Sequence, residues 1–431
     1  MSELRITAIR ALQILDSRGY PTLRVQLEID TGAVFEASAP SGASTGAHEA
    51  VELRDGGTPF SGRGVTGALA SVTGEISNLL TSRPWVSQRE LDEALCALDG
   101  TGNKSRLGAN ALVAVSMAAA RGFAAGTGHS LHTWISQALG RAERLPVPHF
   151  NVLNGGQHAA NALAFQEFMI APVGAATYPQ ALEWGADIYH ALAATLRTRG
   201  LATGLGDEGG YAPEISSPEE ALDLIVSGID AAGHRPGISE VAIALDPAAN
   251  SFFQDGSYHL NGRHYTPSQM VSYYGKLLDN YPIRSLEDPL AEDDAESWPE
   301  LVSALGGRAQ IVGDDLFVTQ AARVTAGIRS GSATAVLIKP NQVGTVTETL
   351  ETLAVASAGG FTAMVSHRSG ETTDTFVADL TVGSGCGQLK AGAPARGERV
   401  AKYNRLLEIA DSNPALPYGL AILSGEGDTD A

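Results

Sequence analysis

Six polar positions in the second half of the chain recur at a spacing that suits chemistry. Asp246, Glu287, Asp314, Lys339, the run His367-Arg368-Ser369 and Lys390 each close a short apolar run, 41, 27, 25, 28 and 23 residues apart. Polar residues at the carboxyl ends of successive barrel strands converge on one mouth. Three carboxylates from separate strands suit a hard cation such as Mg²⁺, and no Cys/His set here suits zinc. Lys339 and Lys390 end neighbouring runs, Ala335–Ile338 and Gly387–Leu389. Two ammonium groups held close depress each other's pKa, which makes one a base near neutral pH; contact with a phosphate or carboxylate is the other use of such a lysine. His367, Arg368 and Ser369 offer a ring, a guanidinium and a hydroxyl to an anion such as phosphate.

Two further carboxylates lie earlier, Glu167 after Gln166 and Glu208 in GLGDEGGYAP. Glycines around Glu208 let the backbone approach a ligand. A protonated Glu208 would be a general acid opposite the lysine; an incidental acid on a flexible turn is the alternative. His158, after Asn154-Gly155-Gly156, gains a site role only from its company. PSGASTGAHEA, rich in Gly and hydroxyls, reads as a mobile lid over an anionic substrate or as a linker. Glu292, Asp293, Asp294 and Glu296, past the run that ends at Glu287, read equally well as a solvated loop.

These residues need elements to hold them. Residues 4–39 alternate as short strands of an antiparallel meander, followed by helical patterns near 65–81, 87–98 and 108–125. Pro146 and Pro148 mark a boundary near residue 140, dividing a domain of 1–140 from one of 141–431. Beyond it, eight apolar runs alternate with amphipathic segments, among them 178–199, 218–232, 267–280 and 345–358. That alternation implies parallel strands in a closed (β/α)8-type barrel; the rival doubly wound sheet lacks any GxGxxG after a strand. The tail 411–431, Gly-rich and bearing Asp411, Glu426, Asp428 and Asp430, is expected to end loosely.

The 431 residues carry 29 Lys+Arg against 48 Asp+Glu, a net charge of −19, which excludes a nucleic-acid partner. No uninterrupted apolar run approaches a membrane span. MSELRITAIR lacks the apolar core of a signal peptide, and Cys96 and Cys386 form no CxxC, so a reducing cytoplasm is expected.

The blocks SGASTG, NGGQHA, QEFMIAP, GDEGGYAP, ALDPAA, EDPLAEDD, VGDDLFVT, LIKPNQVGT, SHRSGET and GQLKAGAPARGERVAKYN resemble the signature blocks of the enolase family, in family order. The resemblance implies an α/β fold, an enolase-type (β/α)8 barrel of ββαα(βα)6 order with one antiparallel strand, under an N-terminal α+β capping domain. It implies Asp246, Glu287 and Asp314 as ligands of a first Mg²⁺ and Ser44 as the ligand that joins a second once substrate binds. It implies Lys339 as the base that takes the α-proton of 2-phosphoglycerate, and Glu208, supported by Glu167, as the acid that helps expel the C3 hydroxyl. Arg368 and Ser369 resemble phosphate holders, Lys390 a contact to the substrate carboxylate, and His158 and His367 further substrate contacts. An acidic surface repels such a substrate, so Lys339, Arg368, Lys390 and bound cations must reverse the field at the mouth.

Departures from the family blocks are Tyr20 for Asn in SRGNPT, GQLKAG for QIKTG with Ala391, Ala160 for Asp in HADN, and Asn250-Ser251 for Ser-Glu in AASEF. They keep open a paralog such as carboxyphosphonoenolpyruvate synthase, which joins an activated phosphonoformate to a phosphoglycerate skeleton, and a non-catalytic binding or structural role. Arg24 and Glu408 exchange the signs of a family pair across a dimer interface, implying a homodimer or octamer with an Arg24–Glu408 intersubunit contact. Assay with phosphoglycerate alone and with the phosphonoformate donor separates these readings. Ordinary enolase chemistry turns over the first, the paralog requires the second, and a binding protein is idle with both.

Overall fold

The computed structural model describes residues 3–43 and 46–420, so Ser44 and the tail acids Glu426, Asp428 and Asp430 lie outside the described residues. Strands β1 (Ile6–Leu15), β2 (Pro21–Ile29) and β3 (Val34–Ser38) form an antiparallel meander in the order β1-β2-β3. Leu23, Val25 and Leu27 are buried at every second position of β2, as a strand with one covered face requires. Asp16 closes the first turn, its Oδ1 accepting the Arg18 and Tyr20 N–H groups at 2.9 Å each. The Tyr20 ring lies 4.1 Å beneath the Arg63 guanidinium. That cation–π contact engages the aromatic ring of Tyr20, one of the departures noted above.

Helix Ala109–Gly126 packs against β2 and β3. It is long and apolar enough to cross a membrane, but 83% of it is buried inside the protein. Its alanines allow close approach on several sides at once, which makes it the core of the cap.

Eight strands close the barrel: β4 (Val147–Asn154), β5 (Glu167–Pro172), β6 (Val241–Asp246), then β10 (Ile283–Glu287), β11 (Gln310–Gly313), β12 (Ala335–Ile338), β13 (Thr362–Ser366) and β14 (Gln388–Lys390). Between β6 and β10, β7 (Phe253–Gln254), β8 (Ser257–Leu260) and β9 (Arg263–Tyr265) make a small separate sheet that the pattern reading missed, because each strand is too short to show a period. β5 runs antiparallel to both β4 and β6, and all the other barrel pairs are parallel. Alternation alone had implied parallel strands throughout. The β4–β5 connection carries only a single 3₁₀ turn, and without a crossover helix a chain returns antiparallel. Helices Tyr178–Thr198 and Pro218–Ala231 then follow in succession before β6, completing the ββαα(βα)6 order that the resemblance implied.

The cap is fastened to the barrel by buried polar groups. Asp92 of the cap accepts the Thr347 N–H at 2.9 Å and its hydroxyl at 2.7 Å, at the start of helix Val346–Ala358. Arg121 meets Asp374 through two nitrogens, at 2.8 and 3.0 Å. Burial pushes Asp374 up, but Arg121 and the N–H groups of Phe376 and Ser38 more than offset it, so its pKa lies below the ordinary carboxylate range. A depressed native pKa contributes stability that is complete above the unfolded value near ~4 and is lost as pH falls through the native one. Asp374→Asn should therefore destabilise the protein at pH 7 by about 3 kcal/mol in denaturant unfolding and flatten the loss of stability below about pH 4.

Candidate active site

Strand register brings the polar ends together. Asp246 closes β6, Glu287 closes β10 and Lys390 closes β14; Asp314, Lys339 and His367 are the first residues past β11, β12 and β13. Parallel pairing of Glu287 with Val312 and of Ser366 with Lys390 sets these ends at one rim. Lys339, Glu208, Glu167, His158, His367, Arg368, Ser369, Lys390, Asp246 and Asp314 all line one cavity there. Glu287 reaches it through Lys390, and Ser44 lies outside the described residues.

The lining is acidic. Glu49, Asp288 and Asp315 join Glu167, Glu208, Asp246 and Asp314 against three cations, Lys339, Arg368 and Lys390. The protein's own groups therefore do not by themselves reverse the negative field at the mouth, and the expected reversal depends on the bound cations that were part of it.

Lys390 Nζ lies 2.8 and 2.9 Å from the two Glu287 oxygens and 3.1 Å from both Asp246 Oδ2 and Glu167 Oε2. Lys339 donates to Asp314 Oδ2. Burial disfavours both ammonium ions, but Asp314 more than offsets this for Lys339, and Asp246, Glu167 and Glu287 do so for Lys390. Both lysines are pushed up. The expected mutual depression is overturned because each ammonium touches a carboxylate, whereas the other ammonium is only a weaker influence.

The donor set fits a hard cation. Three carboxylates already converge on one positive atom, Lys390 Nζ, and all of their donors are oxygens. Among the described residues, two tighter groups have ligand atoms within 4.8 Å of one another: His158 with Glu167 and Glu208, and Asp288 with Asp314 and Asp315. Asp246, Glu287 and Asp314 are not such a group here. Lys390 spans the first two, while Lys339 and Gln342 Nε2, at 2.9 Å, hold the third.

Glu167 and Glu208 share His158, whose Nδ1 lies 3.6 Å from Glu167 Oε1 and 3.7 Å from Glu208 Oε1. Burial, then the charge of Glu208, push Glu167 well above the carboxylate range. Burial works against a charge on Glu208 too, but His367 and His158 hold it well below that range. Asn151 Nδ2 also donates to it at 3.0 Å. The sequence reading expected a protonated Glu208, whereas burial and neighbouring charge raise the proton affinity of Glu167 and the two histidines lower that of Glu208. Gly209, at φ +87°, turns the backbone beside Glu208, and the Tyr189 hydroxyl pins the Gly209 carbonyl at 2.7 Å.

Asp315 and three other residues escaped the sequence reading as site groups. Glu49, from the GAHEA end of the lid segment, grips Arg368 with both oxygens, at 2.9 and 3.2 Å, so a carboxylate of the chain already fills the anion cradle. Asp288 accepts the N–H groups of Asp314 and Asp315 at 2.9 Å each, from a left-handed backbone at φ 39°. Asn250, one of the departures, donates to Asp315 Oδ2 at 2.8 Å and accepts the Glu292 N–H at 2.8 Å, tying together the loops after β6, β10 and β11. Only its place after the metal-type Asp246 could have signalled this.

Residues 6–135 match the family described as enolase, N-terminal domain, and residues 142–415 match enolase, C-terminal TIM barrel domain. A curated enolase of Acidothermus cellulolyticus is 53% identical over 406 residues, spanning 94% of each chain. One of Beutenbergia cavernae is 51% identical over 407 residues, 94% of this chain and 95% of its own.

Removing Asp288 strands two buried N–H groups behind Asp314 and Asp315. Asp288→Ala should lower stability by about 3 kcal/mol in urea unfolding, and a loss under about 0.5 kcal/mol would show that the two amides need no acceptor.

Proposed function

The chain belongs to the enolase family, and from that premise we propose that it dehydrates 2-phosphoglycerate to phosphoenolpyruvate, an anionic small-molecule reaction of the lyase class. The convergence of Lys339, Lys390 and the Glu167–Glu208 pair in one oxygen-lined cavity supports this reading most directly. Lys339 Nζ takes the proton from C2, and Glu208 with Glu167 returns a proton to the departing C3 hydroxyl, which leaves as water. Lys390 faces the substrate carboxylate, Arg368 and Ser369 the phosphate, and His158 and His367 the remaining oxygens.

Asp246, Glu287 and Asp314 would hold a divalent cation, read as Mg²⁺, and Ser44 a second that arrives with substrate. Such cations supply positive charge where the substrate carboxylate gains negative charge as the proton leaves. For Lys339 to act as a base, Asp314 must cease to hold its proton, and an oxygen donor engaged elsewhere does so. For Arg368 to take phosphate, Glu49 must release it.

The same reading takes the boundary near residue 140, the location as cytoplasmic and the assembly as a homodimer or octamer. Within one chain Arg24 meets Glu36 at 3.9 Å and donates its Nε to Ser38 Oγ at 3.3 Å, and Glu408 pairs with Arg405 at 3.0 Å with its side chain 67% exposed. Both remain open to a two-fold partner.

Lys339→Ala should cut phosphoenolpyruvate formation by roughly 10³-fold, and Glu208→Gln by about 10²-fold or more. Turnover that survives Lys339→Ala, or that appears only with an activated phosphonoformate, would sink the proposal. A divalent cation at 100 times its Kd should raise stability by about 2.7 kcal/mol, read as a higher Tm that chelation reverses. Asp246→Asn should blunt that shift.

A further inference from the structure

Arg399 is sealed behind the cavity, with no exposed surface, and does not itself line the mouth. Its Nη1 donates to His367 Nδ1 and to the Arg368 carbonyl, both at 2.5 Å. Its Nη2 donates to the Ser369 carbonyl, to that of Asp207 at 3.1 Å and to Ser17 Oγ at 3.4 Å. One side chain thus braces the anion-cradle run, the acid loop and the cap.

The contact with His367 has a chemical consequence. A guanidinium carries donors only, so the Nδ1 that faces it can only accept. A neutral ring has one proton, which must then sit on Nε2. That nitrogen faces Glu208 Oε2 at 3.2 Å, without the alignment of a hydrogen bond. A doubly protonated ring would set its Nδ1–H against the Nη1–H of Arg399, so the same contact disfavours imidazolium. Burial acts in the same direction, pushing the ring down to about 4.

We propose that Arg399 is a positioning residue that fixes His367 as the neutral Nε2–H tautomer, so that the ring turns an N–H, and no lone pair, toward Glu208. His367 then serves turnover as a hydrogen-bond donor and transfers no proton of its own. The consequence for catalysis rests on the function proposed above, whereas the tautomer does not.

The test begins with ring-nitrogen NMR of the histidine-labelled wild-type protein, with His367 assigned by the signals lost in His367→Gln. The expected spectrum shows a pyridine-type Nδ1 and a pyrrole-type Nε2 from pH 6 to 8. A pyrrole-type Nδ1, or an imidazolium at pH 7, overturns the proposal whatever the enzyme's activity. Arg399→Lys should then mix the tautomers and lower kcat by roughly 10²-fold with less change in KM; a folded variant that keeps the pure Nε2–H form overturns the role of Arg399. If that variant does not fold, the wild-type spectrum still decides, since a pyridine-type Nδ1 facing a guanidinium can only be accepting from it. As a second readout, His367→Gln keeps a donor at the ε position and His367→Asn moves it to δ. The first should retain at least about 10-fold more activity than the second; the reverse order overturns the assignment. Absence of turnover in the wild type with the expected spectrum would sink the dehydration reading and leave the tautomer standing.

Discussion

Concentrated like charge is the constraint on which this molecule is built. Seven carboxylates line a cavity that offers three cationic side chains, and most of them are buried. Carboxylates so placed repel one another and lose hydration, and only nearby positive charge or proton uptake makes the arrangement tolerable. Lys390 lies among Glu167, Asp246 and Glu287, Lys339 holds Asp314, and burial and the charge of Glu208 raise the proton affinity of Glu167. The same tension creates the affinity for divalent cations, because a cation relieves a repulsion that the fold imposes.

The barrel supplies the force that keeps these groups together. Asp246, Glu287, Lys339 and Lys390 stand at or just beyond the ends of strands whose apolar residues are buried, so a retreat would unpack the core. Asp288 shows the local cost of this arrangement: it is spent on two amides, in a left-handed backbone, to aim its neighbours. The cap contributes from the other side. Glu49 occupies Arg368, and Ser17 meets Arg399 and the Ser369 carbonyl, so cap and barrel share one polar network at the mouth.

Glu167 and Glu208 illustrate how environment separates identical chemistries. Both are buried carboxylates, yet Glu208 has Asn151 and His367 beside it, whereas Glu167 has the charge of Glu208. Two carboxylates whose surroundings drive their proton affinities apart can share one proton between them. The net charge of −19 describes the surface and the mouth alike, so an anionic substrate and a cation set suit this cavity only in combination.

Much of the site was legible in the residues. Apolar runs that end in Asp246, Glu287, Lys339 and Lys390 at near-regular intervals reported the barrel and its mouth, because strand burial and strand ends are local properties of a chain. Side-chain partners were not legible. Nothing in the sequence tells that Glu49 grips Arg368 across 319 residues, that Lys390 reaches Glu287 across 103, or that Asn250 binds Asp315 across 65. Nor could it tell which of two glutamates is driven toward higher proton affinity, or that two lysines expected to depress each other would be pushed up. Composition and spacing determined which groups meet at the mouth. Only the tertiary structure decided their charge states, because burial and opposite charge act through space, at distances that the order of residues does not encode.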